Sequence, residues 1–364
     1  MHKIILRKQT PKVDRNFLFV LVALTFCGFI AIADASAPQA VNNFNDKYYF
    51  VKQQLLWGVV GFAAMFISSK IKYTFWEKFA TPLFAISILM LVAVLIPGIS
   101  YSALGARRWL DLGFTSLQPS ELTKLTLALY LAKVASKNKG SLSYIIPVVI
   151  VGGLIMLQPD LGTTMVNVGI GMAQIIVAGI PVFHILGTAL AGGVVGSALI
   201  LLSPYRKARL MTLVEQSSDP LGRDYHIRQI LLALGSGGLF GVGFGQSRQK
   251  NLFLPEAATD SIFAVIAEEI GFIGGALLIA AFAYLIYKGL VIAKNAPDKY
   301  SQVLATGIVS WIGIQVTLNI GSMVSLVPLT GVPLPLFSYG GSALVMILFS
   351  AGILLNISSH AKGK

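Results

Sequence analysis

Residues 261–286 read SIFAVIAEEIGFIGGALLIAAFAYLI. The run is long enough and apolar enough to cross the hydrocarbon of a bilayer as a helix, which takes about 20 residues. Stretches of the same kind recur at 17–34, 53–69, 79–97, 119–135, 143–158, 161–179, 182–202, 302–325 and 337–357. With 261–286 they make ten. The fold class read from them is an all-α, polytopic integral membrane protein of about ten transmembrane helices. No fixed-period repeat, low-complexity tract or inter-domain linker interrupts the chain, so 1–364 is one membrane domain. It divides into an N-terminal tail over 1–16, one large extracytoplasmic loop over 203–260, and a C-terminal tail over 358–364.

Composition agrees. Of 364 residues only 12% are charged while 55% are hydrophobic, against about 25% charged in an ordinary soluble domain. That excludes a disordered chain and argues against a soluble enzyme, whose surface needs more polar groups. Cys27 is the single cysteine, and the four histidines (His2, His184, His226, His360) lie far apart. A disulfide framework is excluded and a Cys/His zinc site is not expected. The net charge of +13 fits lysine and arginine holding the cytoplasmic side of a membrane protein. No basic, aromatic-laced segment stands outside the apolar context, so nucleic acid is not an expected partner.

Charge also orients the spans. With the N-terminus inside, the inner segments hold sixteen lysines and arginines, from Lys3 through Lys70, Lys133 and Lys288 to Lys364. The short outer loops hold only Lys47, Lys52, Arg107 and Arg108, with Lys124 just inside the next helix. The positive-inside rule then places both termini in the cytoplasm. A second reading of the first span is a signal peptide, since a basic start and an apolar stretch precede Ala35-Ser36-Ala37. The stretch is long for a signal, and its removal would leave the other spans oriented as before.

Ionisable groups in or beside spans are costly, so each carries a functional hypothesis. They gather on the outer side in five places. The first runs from Gly105-Ala106-Arg107-Arg108-Trp109 to Gln118-Pro119-Ser120-Glu121-Leu122-Thr123-Lys124. Glu121 and Lys124 are three apart and share a helix face. This is a helix start with a snorkelling lysine, or a display of positive charge for an anionic headgroup. The second, Gln158-Pro159-Asp160-Leu161-Gly162, is a tight turn whose Asp160 suits a helix N-cap. The third is the loop 203–260, with six glycines between Gly235 and Gly245 that mark close backbone approach but no Walker loop and no dinucleotide fingerprint. The fourth is Arg248-Gln249-Lys250 and then Leu254-Pro255-Glu256-Ala257-Ala258-Thr259-Asp260, leading into the helix of Glu268 and Glu269. A carboxylate at Asp260, leaving water as the helix begins, is suited to general-base work. It also suits a plain N-terminal acid on a helix. Glu268 and Glu269 lie about 12–13 Å further along a continuous helix and are expected to find buried partners. The fifth, 328–342, breaks on proline and glycine and includes Ser338 and Ser342. Broken backbone at membrane depth belongs where it is buried or lines a wet cavity.

Together these motifs resemble the SEDS family, the RodA/FtsW/SpoVE group of peptidoglycan polymerases. The resemblance rests on the Gly105–Trp109 run, Gln118-Pro119-Ser120-Glu121 with Lys124, Gln158–Gly162, Leu254-Pro255-Glu256 with Thr259-Asp260 and the 262–269 helix start, and Ser338-Tyr339-Gly340-Gly341-Ser342. They occur in family order over most of the chain. The Gly-rich run followed by Gln246–Lys250 leans toward FtsW rather than RodA. One departure stands out: the family commonly has histidine two residues before its essential aspartate and phenylalanine just after it, where this chain has Ala258 and Ser261.

The resemblance implies ten helices, an outward-facing site and residence in the bacterial cytoplasmic membrane. It implies polymerisation of lipid II into β-1,4 glycan, with undecaprenyl pyrophosphate as the leaving group. It puts the catalytic base at Asp260. Arg107, Arg108, Lys124, Arg248 and Lys250 become candidate cations for the pyrophosphate, and Glu256, Ser338 and Ser342 candidate substrate contacts. No cofactor is required with certainty; a divalent cation (Mg or Mn) could assist, with Asp160 and Glu256 as candidate ligands. Glu121, Glu268 and Glu269 are expected as buried structural polar groups. Expected partners are a class B penicillin-binding protein and other divisome or elongasome membrane proteins. The alternatives are a transporter that flips lipid II and a non-catalytic scaffold for a transpeptidase.

Overall fold

The computed structural model describes residues 13–97, 100–103, 106–111, 113, 116–181 and 225–361, with isolated positions between 183 and 193. The helices are α1 (Arg15–Ala35), α2 (Ala37–Phe44), α3 (Tyr49–Lys70), α4 (Tyr73–Leu95), α5 (Pro119–Ser136), α6 (Leu142–Leu157), α7 (Leu161–Ala178), α8 (Tyr225–Ser236), α9 (Ile262–Lys294), α10 (Lys299–Met323) and α11 (Gly341–Ser359). Every expected span but one coincides with a helix. The exception, 182–202, falls outside the described residues but for those isolated positions, as do the 1–12 part of the N-terminal tail, the 203–224 part of the outer loop and 362–364 of the C-terminal tail.

Seven of these helices are long and apolar enough to cross a membrane. They wear their large apolar side chains on the outside, with Phe19, Leu56, Val59, Phe66, Leu89, Phe272 and Leu277 all exposed. In water such a surface would aggregate; in lipid it is the solvated one. The chain is a polytopic membrane protein.

Helix α5 shows why hydropathy alone misjudges a span. Its sequence, PSELTKLTLALYLAKVAS, carries Glu121, Lys124 and Lys133, yet most of its positions are buried. It packs against α4, α7 and α10. A helix walled by protein need not dissolve in lipid. Helix α10 is the other hub, in contact with α5, α7 and α9.

Two ends of the bundle are chemically distinct. At one, Asp14 caps α1 by accepting from the amides of Asn16 and Phe17 at 3.1 and 3.0 Å, and its carboxylate lies 3.3 Å from Lys288 of α9. Ser358 at the end of α11 accepts from the Asp14 amide. Tyr73 donates to Asp298, the capping-box residue of α10, at 2.6 Å. So the first and last described helices begin and end together. The opposite end collects the starts of α5, α7, α9 and α11 and the close of α1 and α10, and with them the motifs singled out from sequence. Ala35 and Ser36 are buried there at the α1–α2 junction.

The all-α expectation needs one addition. Residues 100–117 form a small antiparallel sheet in the order β1-β2-β3, from β1 (Ser100–Ala103), β2 (Ala106–Asp111) and β3 (Ser116–Leu117). Tyr101 faces Trp109 and Leu110 faces Leu117 across it. Strands of two to six residues leave almost no periodicity in a sequence.

Candidate functional site

Asp260 ends a coil of turns that begins at Leu254. Glu256 sits at φ 51°, and its carbonyl accepts from the amides of Thr259 and Ser261, both at 3.1 Å. This winds the segment tightly just before α9. The peptide bearing Asp260 is then gripped from outside. Ser338 Oγ donates to the Thr259 carbonyl at 2.6 Å and accepts from the Leu334 amide at 2.7 Å. The Tyr339 amide donates to the Ala258 carbonyl at 2.9 Å. Asn319 of α10 spends its Nδ2 on two carbonyls, those of Asp260 and Val332, each at 2.8 Å. Asp260 is half-buried. A carboxylate on a rigid, partly dry platform can accept a proton from a well-placed hydroxyl.

Arg108 on β2 is the next group at this end. Its Nε donates to the Gln158 carbonyl at 3.2 Å, and an Nη donates to that of Pro159. Its Nε lies 3.7 Å from the Asp160 carboxylate. Asp160 is the N-cap of α7, accepting from the Thr163 amide at 3.0 Å and the Thr163 hydroxyl at 2.9 Å. The sheet therefore docks on the α6–α7 turn through one guanidinium, which stays about one-third exposed. Arg248 is exposed, its backbone amide donating to Glu268 at 3.1 Å. The Arg107 side chain lies outside the described residues.

Two of the five candidate cations are not at the surface. Lys124 is buried between α5 and α10, where its ammonium reaches Glu121 at 2.6 Å and Gln315 at 3.2 Å and lies 5.4 Å from the Trp311 ring centroid. Gln315 accepts from Trp311 Nε1 at 2.7 Å and donates to the Pro333 carbonyl at 2.9 Å. Lys124 thus tethers α5 to α10 and, through Gln315, to the loop before α11. The expectation that it presents charge to a headgroup is corrected by this burial. Lys250 is likewise enclosed, with Asp34 at 2.6 Å and Glu269 at 2.7 Å. Burial opposes its charge, but the hydrogen bonds to Asp34 and Glu269 prevail and hold its ammonium above the ordinary value of 10.5.

Glu268 and Glu269 anchor the Gly-rich loop. Glu268 accepts from Ser247 Oγ, the Arg248 amide and Ser236 Oγ, and Glu269 from the Ser247 amide. Just beyond them the helix breaks. Gly271 stands at φ 69°, ψ −172°, and the freed backbone pairs with the loop: Val242 and Gly243 amides donate to the Glu268 and Glu269 carbonyls, and Phe272 and Ile273 amides to those of Gly238 and Leu239. The continuous helix read from 261–286 is corrected to two segments sharing a loop between them. A Cβ on Gly241 would meet the Glu269 carbonyl oxygen at 2.1 Å and one on Gly271 the Gly241 nitrogen at 2.2 Å, so these two glycines are there for backbone-to-backbone contact.

Glu256 is exposed and accepts from Thr259 Oγ1 at 2.7 Å. Ser342 Oγ lies 3.5 Å from the Ser116 carbonyl. Among the described residues no three His, Cys, Asp or Glu side chains converge as a metal cage, and both oxygens of Asp160 already have partners. The residues sequence reading missed are Asn319, Gln315, Gln54 and Asp34. Gln54 of α3 accepts from the Gly340 amide at 3.2 Å. All four are polar groups in or at the end of apolar spans, which is a signal available in the sequence.

Comparison with known proteins agrees with this architecture. Residues 14–363 match the family model FTSW_RODA_SPOVE, described as cell cycle protein. The chain is 42% identical to stage V sporulation protein E of Bacillus subtilis, over 97% of this chain and 99% of that protein. It is 38% identical to a probable peptidoglycan glycosyltransferase FtsW of Trichlorobacter lovleyi, over 98% and 97%. Among solved structures it is similar to a chain of a peptidoglycan synthase complex that coordinates polymerization and crosslinking, with a TM-score of 0.80 and 28% identity over 97% of this chain and 99% of that one. It is also similar to the rod shape determining protein RodA of Thermus thermophilus, with a TM-score of 0.71 and 28% identity over 97% and 98%. With the match spanning nearly its whole length, the chain belongs to the FtsW/RodA/SpoVE family.

Proposed function

We propose that this protein is a peptidoglycan glycosyltransferase of the bacterial cytoplasmic membrane, with both termini in the cytoplasm and its site facing outward. Its substrate is lipid II. Asp260 accepts the proton of the 4-hydroxyl of an acceptor N-acetylglucosamine as that oxygen attacks the anomeric carbon of an N-acetylmuramic acid donor. The bond to undecaprenyl pyrophosphate breaks with its electron pair leaving on the pyrophosphate. An α-linked donor and a β-1,4 product require a single inverting displacement through an oxocarbenium-like state. Arg108, about one-third exposed, and Arg248, exposed at the same end, offer charge to the departing pyrophosphate. Arg107 remains a candidate for this role from its place in the same motif.

The observation that carries this reading is the platform under Asp260: a half-buried carboxylate whose peptide is fixed through Ser338 and Asn319. Rigid placement is what separates a base from an exposed acid. The names of the relatives support the chemistry. A class B penicillin-binding protein is the proposed partner, by analogy with the complex in which polymerization and crosslinking are coordinated. A flipping transporter would need its charged site near the midplane and open in alternation; the Glu121–Lys124 pair, about 1–3% exposed, is closed by protein on all sides.

The test is polymerisation of lipid II by purified protein, with and without the transpeptidase. Wild type should form glycan chains. Asp260→Asn should form them about 100- to 10,000-fold more slowly while eluting and melting as wild type does. An Asp260→Asn enzyme at the wild-type rate would overturn the assignment.

A further inference from the structure

The platform has a third attachment, from an element outside its immediate neighbourhood. His226 Nε2 lies 2.8 Å from Ser261 Oγ, a hydrogen bond whose donor depends on the imidazole tautomer. Ser261 is fully buried and directly follows Asp260. It occupies the N-cap position of α9, yet its side chain caps nothing there. Serine at an N-cap ordinarily turns its oxygen to the first-turn amides. Here the hydroxyl is diverted to the histidine instead.

His226 is well placed to hold it. It sits in the first turn of α8, whose Ile227, Ile230 and Ala233 are buried and whose packing partner is α9 itself. The imidazole is half-buried, so its bond to a buried hydroxyl is shielded from water. Position 258 is alanine, its carbonyl taken by the Tyr339 amide. The imidazole that reaches this stretch therefore comes from α8, 35 residues before Ser261 in the chain.

We propose that His226 is a positioning residue for Asp260. Through the Ser261 side chain it braces the start of α9, and with it the direction of the Asp260 carboxylate. Ser338 holds the Thr259 carbonyl, Asn319 the Asp260 carbonyl and Glu256 the Ser261 amide; the α8 contact adds a hold on the Ser261 side chain, on the helix side of Asp260. The proposal rests on the reading of Asp260 as the base.

The test compares His226→Ala, His226→Gln, Ser261→Ala and the double His226→Ala/Ser261→Ala with Asp260→Asn, in lipid II polymerisation by the purified protein and its transpeptidase. A misplacement on the order of 1 Å costs about 100-fold, so each single alanine variant should lose about 10- to 100-fold in kcat with KM within about twofold. The double variant should lose no more than the worse single, since both remove one contact. His226→Gln, which keeps a nitrogen donor, should recover most of the rate; it and Ser261→Ala decide the matter if His226→Ala does not fold. Additive losses, a loss confined to KM, or an unchanged kcat in the alanine variants beside an inactive Asp260→Asn would overturn the positioning role alone. An active Asp260→Asn would overturn the base reading beneath it.

Discussion

Lys124 shows what a single residue can cost when it leaves water. Its ammonium is about 1% exposed and depends on Glu121, Gln315 and the face of Trp311. Removing one member of such a pair strands the other charge, at about 3–5 kcal/mol, whereas replacing both with apolar groups is far milder. Lys124→Met should therefore lower the unfolding midpoint in detergent sharply, and Glu121→Gln/Lys124→Met should recover most of the loss. A double variant as unstable as the sum of the two singles would show that the pair is not the unit. Legibility at this scale was uneven. Asp260 and Arg108 stand in motifs whose residue types announce chemistry. The i, i+3 spacing of Glu121 and Lys124 gave their shared face but not whether it met lipid, water or α10. Asn319 and Gln315 lie in an apolar run; their presence signalled buried partners, but the carbonyls they hold, at Asp260 and Pro333, are set by loop paths that no local pattern encodes.

At the scale of elements, the instructive case is the interruption of α9. The stretch EEIGFIGG reads as an ordinary membrane helix, and glycine is common there. What it does not display is that the backbone of 238–243 enters beside Gly271 and takes over its hydrogen bonds. Gly271→Ala should fail to accumulate as folded protein, because φ is 69° and the new Cβ would meet the Gly241 nitrogen at 2.2 Å. Gly235→Ala is the control. It lies within α8 with nothing in the way of a Cβ, and it should stabilise by about 0.5–1 kcal/mol. The yield of folded Gly271→Ala and the thermal melt of Gly235→Ala, both in detergent, check the pair. The sheet at 100–117 escaped for the opposite reason: its strands are too short for a two-residue period, and what they achieve, delivering Arg108 to the α6–α7 turn, is a tertiary fact.

The whole molecule follows from a division of labour between its two ends. One end ties Asp14, Lys288 and Ser358 together; the other holds Asp260, Arg108 and the anchored loops. In the proposed orientation, which the charge bias of the short loops supports, the first end is the cytoplasmic one. In a Cys27→Ser background, a cysteine at Glu256 should react with a membrane-impermeant maleimide added to intact spheroplasts, and one at Lys294 only after permeabilisation. The reverse pattern would invert the molecule and exclude an outer site. The span pattern made this architecture readable because bilayer crossing imposes a length on each helix; the packing order among helices, with α5 and α10 innermost, has no such external ruler.

The interruption at Gly271 also bears on how the protein fits its membrane. As one rod, the 33 residues of α9 would reach about 50 Å, far beyond a hydrocarbon layer of about 30 Å. Cut at Gly271, the segment 272–294 is about 35 Å and matches that layer with a modest tilt. The remaining turns stand above it, fastened sideways to 238–243. Because 272–294 is long enough by itself to cross the layer, a bilayer of another thickness is met by the tilt of that segment, while the turns carrying Glu268 and Glu269 are held by backbone hydrogen bonds to 238–243.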